Sequence, residues 1–196
     1  DAVEYRRIES VGPQVSGELI RAAVLAVLVS VIAMFAYIWF RFEWQFGIGA
    51  VLSIVHDVMA TILVFSLFQL EFNLTTIAAL LTIVGYSMND TVVVFDRMRE
   101  NLRKYKKMDL GDLIDLSLNE TLSRTIMTSV TTLIALVSLF VFGGEVIRSF
   151  TFAMIFGILI GTYSSIYVAA PVLMAIGITR EWGAVQLTRA KNAAGK

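Results

Sequence analysis

The sequence predicts an all-α membrane protein, a bundle of five transmembrane helices with a short cytoplasmic amphipathic helix. Its 196 residues are 57% hydrophobic and 16% charged, with a mean hydropathy of +0.76, whereas soluble domains carry about 25% charged residues. Long apolar stretches recur at lengths near the ~20 residues that a helix needs to cross a bilayer. Short polar segments separate these stretches, which is typical of a chain that crosses the membrane repeatedly.

Composition also excludes several kinds of partner. A net charge of zero and a pI near 6.8 argue against a nucleic-acid binder. The absence of cysteine removes disulfides and thiolate metal sites. A single histidine leaves too few ligands for a metal cage. We therefore expect no nucleic-acid partner, no metal and no cofactor.

Three regions follow from the hydropathy pattern. Apolar alternation before a Gly/Pro turn predicts that residues 1–18 end an extracytoplasmic domain, so the chain reads as a fragment. A transmembrane bundle is expected over residues 19–178, and a polar, basic cytoplasmic tail over residues 179–196. The fifth span is long for one crossing and is expected to tilt or break at Pro171. The predicted spans cover about 19–40, 46–70, 74–96, 125–142 and 147–178.

The second span carries small and polar residues on one stripe. Gly49, Ser53, Asp57 and Thr61 follow at intervals of four, which places them on a helix face that packs on other helices rather than on lipid. His56 adjoins the acid near mid-membrane. A lone histidine in a helix is usually a packing residue, but beside a buried acid it is also a candidate for a proton pathway. Both interpretations stay open.

The third span contains the sharpest contradiction in the sequence. Asn89 and Asp90 lie inside an apolar stretch, where an ionised side chain costs at least ~2.5 kcal/mol and so marks an ion or proton path. The alternative is that Asp90 hydrogen-bonds a neighbouring helix and only stabilises the bundle. Thr82 and Tyr86 share the face of Asp90 by their spacing, and Gly85 lets another backbone approach.

Residues 97–124 are predicted as a cytoplasmic loop. Asp109 can cap a helix in which leucines recur at helical intervals, so we expect a short amphipathic helix on the membrane surface. Arg124 stands at the entrance of the fourth span, either as an interfacial arginine or as a functional charge that extends a threonine stripe from Thr128. The basic patch of this loop is expected to set the topology and contact lipid headgroups; it consists of Arg97, Arg99, Arg103, Lys104, Lys106 and Lys107.

Orientation follows from the basic residues. If the loop of residues 97–124 is cytoplasmic, that side holds Arg41, the loop's seven basic residues and the tail's four, which is 12 of the 16 in the chain. The excess predicts a cytoplasmic loop and C-terminus and an extracytoplasmic N-terminal end.

An enzyme is not expected. No phosphate-binding glycine loop and no Ser/His/Asp arrangement is visible in the sequence. An intramembrane aspartyl protease built on Asp57 and Asp90 is conceivable, since two buried carboxyls can share a proton. A purely structural subunit would explain a small-residue contact surface at Gly157 and Gly161, but not two acids on inward stripes.

Several sequence blocks resemble the SecD/SecF family of protein-export membrane proteins, on its SecF side. They occur in the family's order and at family-like separations over essentially the whole chain. The blocks are VGPQVSGEL before the first span, FEW after it, HDV in the second, GYSMNDTVVVFDRMREN in the third and SRTIMTS opening the fourth.

The resemblance implies a SecF-type subunit without its first helix and most of its periplasmic domain. Family members use the proton motive force, work with SecD beside the SecYEG translocon, and promote preprotein export across the bacterial inner membrane. Another proton-coupled transporter of the resistance-nodulation-division superfamily, moving a small or lipidic substrate, is the alternative. Membrane lipid is a further expected partner.

The resemblance also implies roles for particular residues. Asp90 matches the family's proton-relay aspartate and Arg124 its charged partner, whereas His56 and Asp57 match a motif to which we assign no definite role. Asp90 lies about 10 Å into its span from the cytoplasmic end, and Arg124 enters the fourth span from the same side, so we expect the two side chains to meet. Three neighbours are expected to hold water or orient the pair. These neighbours are Tyr86, Asn89 and Thr128.

Overall fold

The computed structural model describes residues 13–70 and 72–178. These residues form helices without a strand, and five helical stretches are long and apolar enough to cross a membrane. The predicted all-α class of five spans is therefore confirmed. The helices are α1 (Pro13–Arg41), α2 (Trp44–Leu67), α3 (Leu74–Lys104), α4 (Leu110–Phe142), α5 (Arg148–Ser164) and α6 (Ala170–Ile176).

Short connections between successive spans make those spans antiparallel. The α1–α2 and α3–α4 turns lie at one end of the bundle, where Arg99 of α3 bonds the Arg41 carbonyl of α1. We call this the basic end. The α2–α3 and α4–α5 connections lie at the opposite end, and the latter contains one 3₁₀ turn, Glu145–Ile147.

Helices α3 and α4 each begin at a capping residue, Asn73 and Asp109. A capping box begins α3: the Asn73 side chain accepts from the Thr76 N–H, and the Asn73 backbone N–H donates to Thr76 Oγ1. Asp109 caps α4 as predicted, accepting from Gly111 N at 3.0 Å.

Residues 97–124, predicted as a cytoplasmic loop that carries one amphipathic helix, are helical except for the turn at 105–109. Helix α3 continues to Lys104, and α4 runs unbroken from Leu110 into the fourth span. The predicted amphipathic helix is thus the first part of α4 rather than a separate surface helix. Its apolar face packs on protein instead of lipid, because Ile114 joins a buried cluster with Phe95 and Met98 of α3. Between Gly111 and Phe142 the sequence has no glycine or proline to interrupt the helix.

Residues 13–18, predicted as the end of an extracytoplasmic domain, are already helical in α1. The proposed strand before them and the tail of residues 179–196 lie outside the described residues.

The fifth span breaks near its proline, one turn earlier than predicted. A π-helical segment, Ser165–Ala169, separates α5 from α6. Pro171 has no N–H, and its ring clashes with the carbonyl four residues before it in a regular helix. A widened turn at this point relieves that clash.

Both small-residue stripes are covered within the chain. A Cβ on Gly157 would overlap the side chain of Ile83 on α3, and one on Gly49 would lie 3.3 Å from Phe95 Cζ. The small residues that could have received a second helical bundle are thus occupied by helices of this chain. Helix α3 instead packs most extensively on α5.

This packing predicts different outcomes for two glycines. Gly157→Val should destabilise the bundle by roughly 1–3 kcal/mol, because the new side chain has no space against Ile83. Gly85→Ala is the matched control on α3, since its Cβ would meet nothing within 4 Å. Thermal unfolding of both variants in detergent micelles measures the difference, and equal midpoints would contradict the α3–α5 contact.

Candidate functional site

Two carboxylates are buried inside the membrane-spanning helices. Asp57 of α2 is 1% exposed and Asp90 of α3 is 3% exposed. A buried acid in a span requires a partner or a function. The surroundings of the two acids differ, and the difference separates their roles.

Asp57 is held by hydroxyl groups from two other helices. Its Oδ2 accepts from Ser87 Oγ of α3 at 2.6 Å and from Ser164 Oγ of α5 at 2.8 Å. Its Oδ1 lies 3.0 Å from His56 Nδ1. The Asp57 centre, as we call these four side chains, therefore joins α2, α3 and α5 at one point.

Further contacts extend the Asp57 centre along the predicted stripe of α2. Ser53 Oγ donates to Ser164 Oγ at 2.9 Å, and Thr61 Oγ1 donates to the Asp57 carbonyl at 2.8 Å. Gly161 provides the space, since a Cβ there would lie 3.1 Å from Ser87 Cβ. Sequence reasoning brought His56 and Asp57 together, as the structure does.

Sequence reasoning missed Ser87 and Ser164. A signal for both was present, because Ser164 follows Gly157 and Gly161 at helical spacing and Ser87 lies three residues before Asp90. One further helical turn from Gly161 along α5 reaches Ser164, and one turn back from Asp90 along α3 reaches Ser87.

Asp90 has fewer partners. Within the part of the chain that the structure describes, its Oδ2 is buried without a hydrogen-bond partner, and so is Thr125 Oγ1 of α4. A buried acceptor without a donor is costly, so such groups in native proteins call for an explanation. Asp90 therefore has a buried carboxyl oxygen without a donor, whereas Oδ2 of Asp57 has two hydroxyl donors.

Arg124 is the basic residue that acts electrostatically on Asp90. The two residues, both described, form no ion pair within 4.0 Å. Arg124 instead lines an open cleft of about 580 Å³ at the basic end, which reaches Val93, one helical turn from Asp90. The other lining residues are Tyr37, Arg41, Phe42, Val92, Asp96, Arg97, Glu100, Glu120 and Thr121.

An ion-pair network spans this cleft between α3 and α4. Arg97 Nε donates to Glu120 Oε2 at 2.7 Å, and another Arg97 nitrogen bonds Glu100 at 2.5 Å. Asn101 donates to the same Glu120 oxygen at 2.7 Å and to Ser117 at 3.0 Å. Sequence reasoning missed this network because it placed Arg97 in a loop and laid the helix that carries Glu120 on the membrane surface rather than against α3. The network ties α4 to α3 at Glu120, one helical turn before Arg124.

The three predicted neighbours of the Asp90 and Arg124 pair do not hydrogen-bond Asp90 in the described structure. Tyr86 donates to Thr132 Oγ1 at 3.2 Å, and Thr128 donates to the Arg124 carbonyl at 3.1 Å within its own helix. The side chain of Asn89 is exposed.

A helical bundle with two buried acids in its spans defines a multi-span membrane protein with an intramembrane acidic site, an arrangement typical of ion and proton pathways. The family model for the C-terminal region of the protein export membrane proteins SecD and SecF matches residues 1–179. The chain belongs to the SecD/SecF family.

Relatives agree with this assignment. The chain is 62% identical over 179 residues to the protein translocase subunit SecF of Cereibacter sphaeroides, covering 91% of this chain and 55% of the relative. It is 56% identical over 170 residues to SecF of Rickettsia rickettsii, and the match covers 87% of this chain and 55% of that relative. The chain therefore spans about half the length of these relatives.

Solved structures of SecDF have the same fold. A structure of SecDF in a super-membrane-facing form matches with a TM-score of 0.77 and 42% identity over 95% of this chain and 24% of that one. SecDF from Thermus thermophilus, described as a translocon-associated membrane protein, matches with a TM-score of 0.80 and 49% identity. The match covers 84% of this chain and 23% of that one.

The Asp57 centre predicts a stability difference between two serines. Ser164→Ala should lower the unfolding free energy by ~1–3 kcal/mol, because a buried carboxylate loses a donor. Ser138→Ala is the control, since Ser138 is exposed and bonds only a carbonyl of its own helix. Denaturant or thermal unfolding in micelles measures both, and equal stability would count against the network.

Proposed function

We propose that this chain is the membrane bundle of a SecF subunit, which works with SecD beside the SecYEG translocon to promote preprotein export. The names of the relatives and of the matching structures support this assignment. The excess of basic residues supports a bacterial inner-membrane location with the basic end in the cytoplasm and the N-terminal end extracytoplasmic. This role is that of a transport subunit rather than of an enzyme.

The proton motive force is proposed to act through Asp90. The observation that carries this proposal is the buried Asp90 oxygen without a hydrogen-bond partner, beside a cleft lined by Arg124. Removal from water favours a neutral carboxyl, whereas an approaching guanidinium favours the carboxylate. Approach of Arg124 then releases a proton from Asp90, and its withdrawal allows another to bind. The cleft supplies the aqueous route on the side of the basic end.

His56 and Asp57 take a different part in this proposal. Since hydroxyl groups of α3 and α5 already satisfy one oxygen of Asp57, we assign it to holding the bundle around the pathway. Asp90 and Arg124 remain the relay pair.

SecD is proposed to cover the outer face of α3. Thr82, Gly85 and Asn89 are exposed there, and polar side chains within a span favour helix contacts over lipid. Gly85 leaves open space that another backbone can occupy.

The relay predicts loss of proton coupling in two variants of the full-length protein. Asp90→Asn should reduce proton-dependent preprotein translocation into membrane vesicles to the level without SecF, because the proton carrier is gone. Arg124→Met should do the same, and Arg124→Lys should restore part of the activity through its charge. Asp115→Asn, an exposed acid of α4, is the control.

Normal proton-coupled export by Asp90→Asn, with the protein inserted and bound to SecD, would refute the relay. His56 and Asp57 would then become the better candidates.

The partner face predicts a crosslinking pattern. Because the chain contains no cysteine, single cysteines at Gly85 or Asn89 should crosslink to cysteines on SecD. Cysteines at Gly157 or Gly161, which are buried against α3, should not. Crosslinks at the buried positions alone would place SecD elsewhere.

A further inference from the structure

Thr125 differs from the other threonines of α4. It is only 2% exposed, yet within the described structure its hydroxyl has no hydrogen-bond partner. The other threonines of this helix each donate to the carbonyl four residues earlier, which is the usual bond of a threonine inside a helix. They are Thr121, Thr128, Thr131 and Thr132. A buried polar group that lacks even this bond calls for an explanation.

Three side-chain hydrogen bonds fix the register between α3 and α4. They join Asn101 to Ser117, Arg97 to Glu120 and Tyr86 to Thr132. In this antiparallel register, Asp90 is level with residues 127–128 of α4. Since a helix rises about 1.5 Å per residue, Thr125 lies about 3–4.5 Å nearer the basic end than Asp90.

Asp90 and Thr125 also lie on the faces through which α3 and α4 contact each other. Tyr86 and Arg97, which bond α4, are four residues before and seven after Asp90, so the three share one face of α3. Thr132, which bonds α3, is seven residues after Thr125 and shares its face of α4. The hydroxyl of Thr125 and the Asp90 oxygen without a donor therefore belong to one interface between two helices.

Hydroxyl residues lead from the cleft to this interface. Ser117, Thr121, Thr125 and Ser129 follow at intervals of four on the buried face of α4. Thr121 lines the cleft, and Thr125 is the next hydroxyl inward. This row of hydroxyls therefore connects the cleft with the level of Asp90.

We propose that Thr125 and Asp90 hold one water molecule between α3 and α4, and that this water passes protons between the cleft and Asp90. The proposal rests on the relay proposed above and names the residue that positions its proton donor. Thr125 Oγ1 and Asp90 Oδ2 do not bond each other, and a water that bridges two such groups bonds nearly as well as a direct contact. A hydroxyl both donates and accepts, so Thr125 can hold the water in either protonation state of Asp90.

The proton step is balanced by the water in the cleft. The bridging water gives one proton to Asp90 Oδ2 and accepts one from the cleft water, so it is neutral again afterwards. Approach of Arg124 reverses both transfers. Thr125 keeps its own proton count throughout, because its part is to position the water.

Thr125→Val in the full-length protein tests the site by its effect on export. Valine lacks the hydroxyl, so proton-dependent preprotein translocation into membrane vesicles should fall about tenfold, the effect of one lost hydrogen bond. Thr125→Ser keeps the hydroxyl and should retain most of the activity. Thr131→Val is the matched control and should export normally, because Thr131 is an exposed residue of the same helix that bonds carbonyls of α4.

Infrared difference spectra between acidic and alkaline buffer test the hydrogen bond itself. The carboxyl stretch of protonated Asp90 is the band that Asp90→Asn removes. A hydrogen bond from water lowers the frequency of this stretch, so the band should move to higher frequency in Thr125→Val. It should keep the wild-type position in Thr125→Ser and Thr131→Val, and a general loss of structure would not produce this pattern.

The two measurements separate this proposal from the relay on which it rests. Normal export by Thr125→Val, or an unmoved carboxyl band in that variant, would overturn the water site while leaving the relay intact. Failure of Thr125→Ser to retain activity would also overturn it, because the hydroxyl would then not be the group required. Normal export by Asp90→Asn, or the absence of a band that this variant removes, would instead refute the relay itself.

Discussion

The hydrogen bonds to the Asp57 carboxylate are the interaction on which the bundle depends. A carboxylate in a hydrocarbon layer has no water to bind, so protein donors must replace the water. Ser87 and Ser164 supply them from α3 and α5, and both hydroxyls reach the same oxygen. Gly161 allows the close approach of these helices. The hydrogen bonds that Asp57 needs and the close packing at Gly161 therefore require the same arrangement of α2, α3 and α5.

This arrangement also constrains Asp90. Ser87 lies one turn from Asp90 on the same helix, so the Asp57 centre fixes the depth of Asp90 in the bundle. Helix α4 is less constrained, since only 17% of its span is buried, compared with 56% for α3. In the proposed relay, movement between Asp90 and Arg124 is therefore assigned to α4. The contacts of Glu120 with Arg97 and Asn101 would transmit that movement to the basic end.

Continuity of α3 and α4 beyond the spans gives the basic end its shape. The two helices form a hairpin that buries Met98 and Ile114. Residues of both helices line the cleft. A flexible loop would not hold charged groups at fixed distances from Asp90. The hairpin therefore holds the Arg97–Glu120 pair of the cleft in place, while Arg124 lies one turn further along α4.

The sequence by itself determined the number of spans, the cap at Asp109 and the unusual position of Asp90, because hydropathy, capping and charge are local properties. It also determined which faces of the helices are small or polar. Only the tertiary structure decided what covers those faces. The glycine stripes could have faced another protein but pack on α3. Leu110 and Leu118 could have faced lipid but pack on a buried cluster that includes residues of α3. Periodicity specifies the direction in which a side chain points, whereas its partner depends on how the helices assemble.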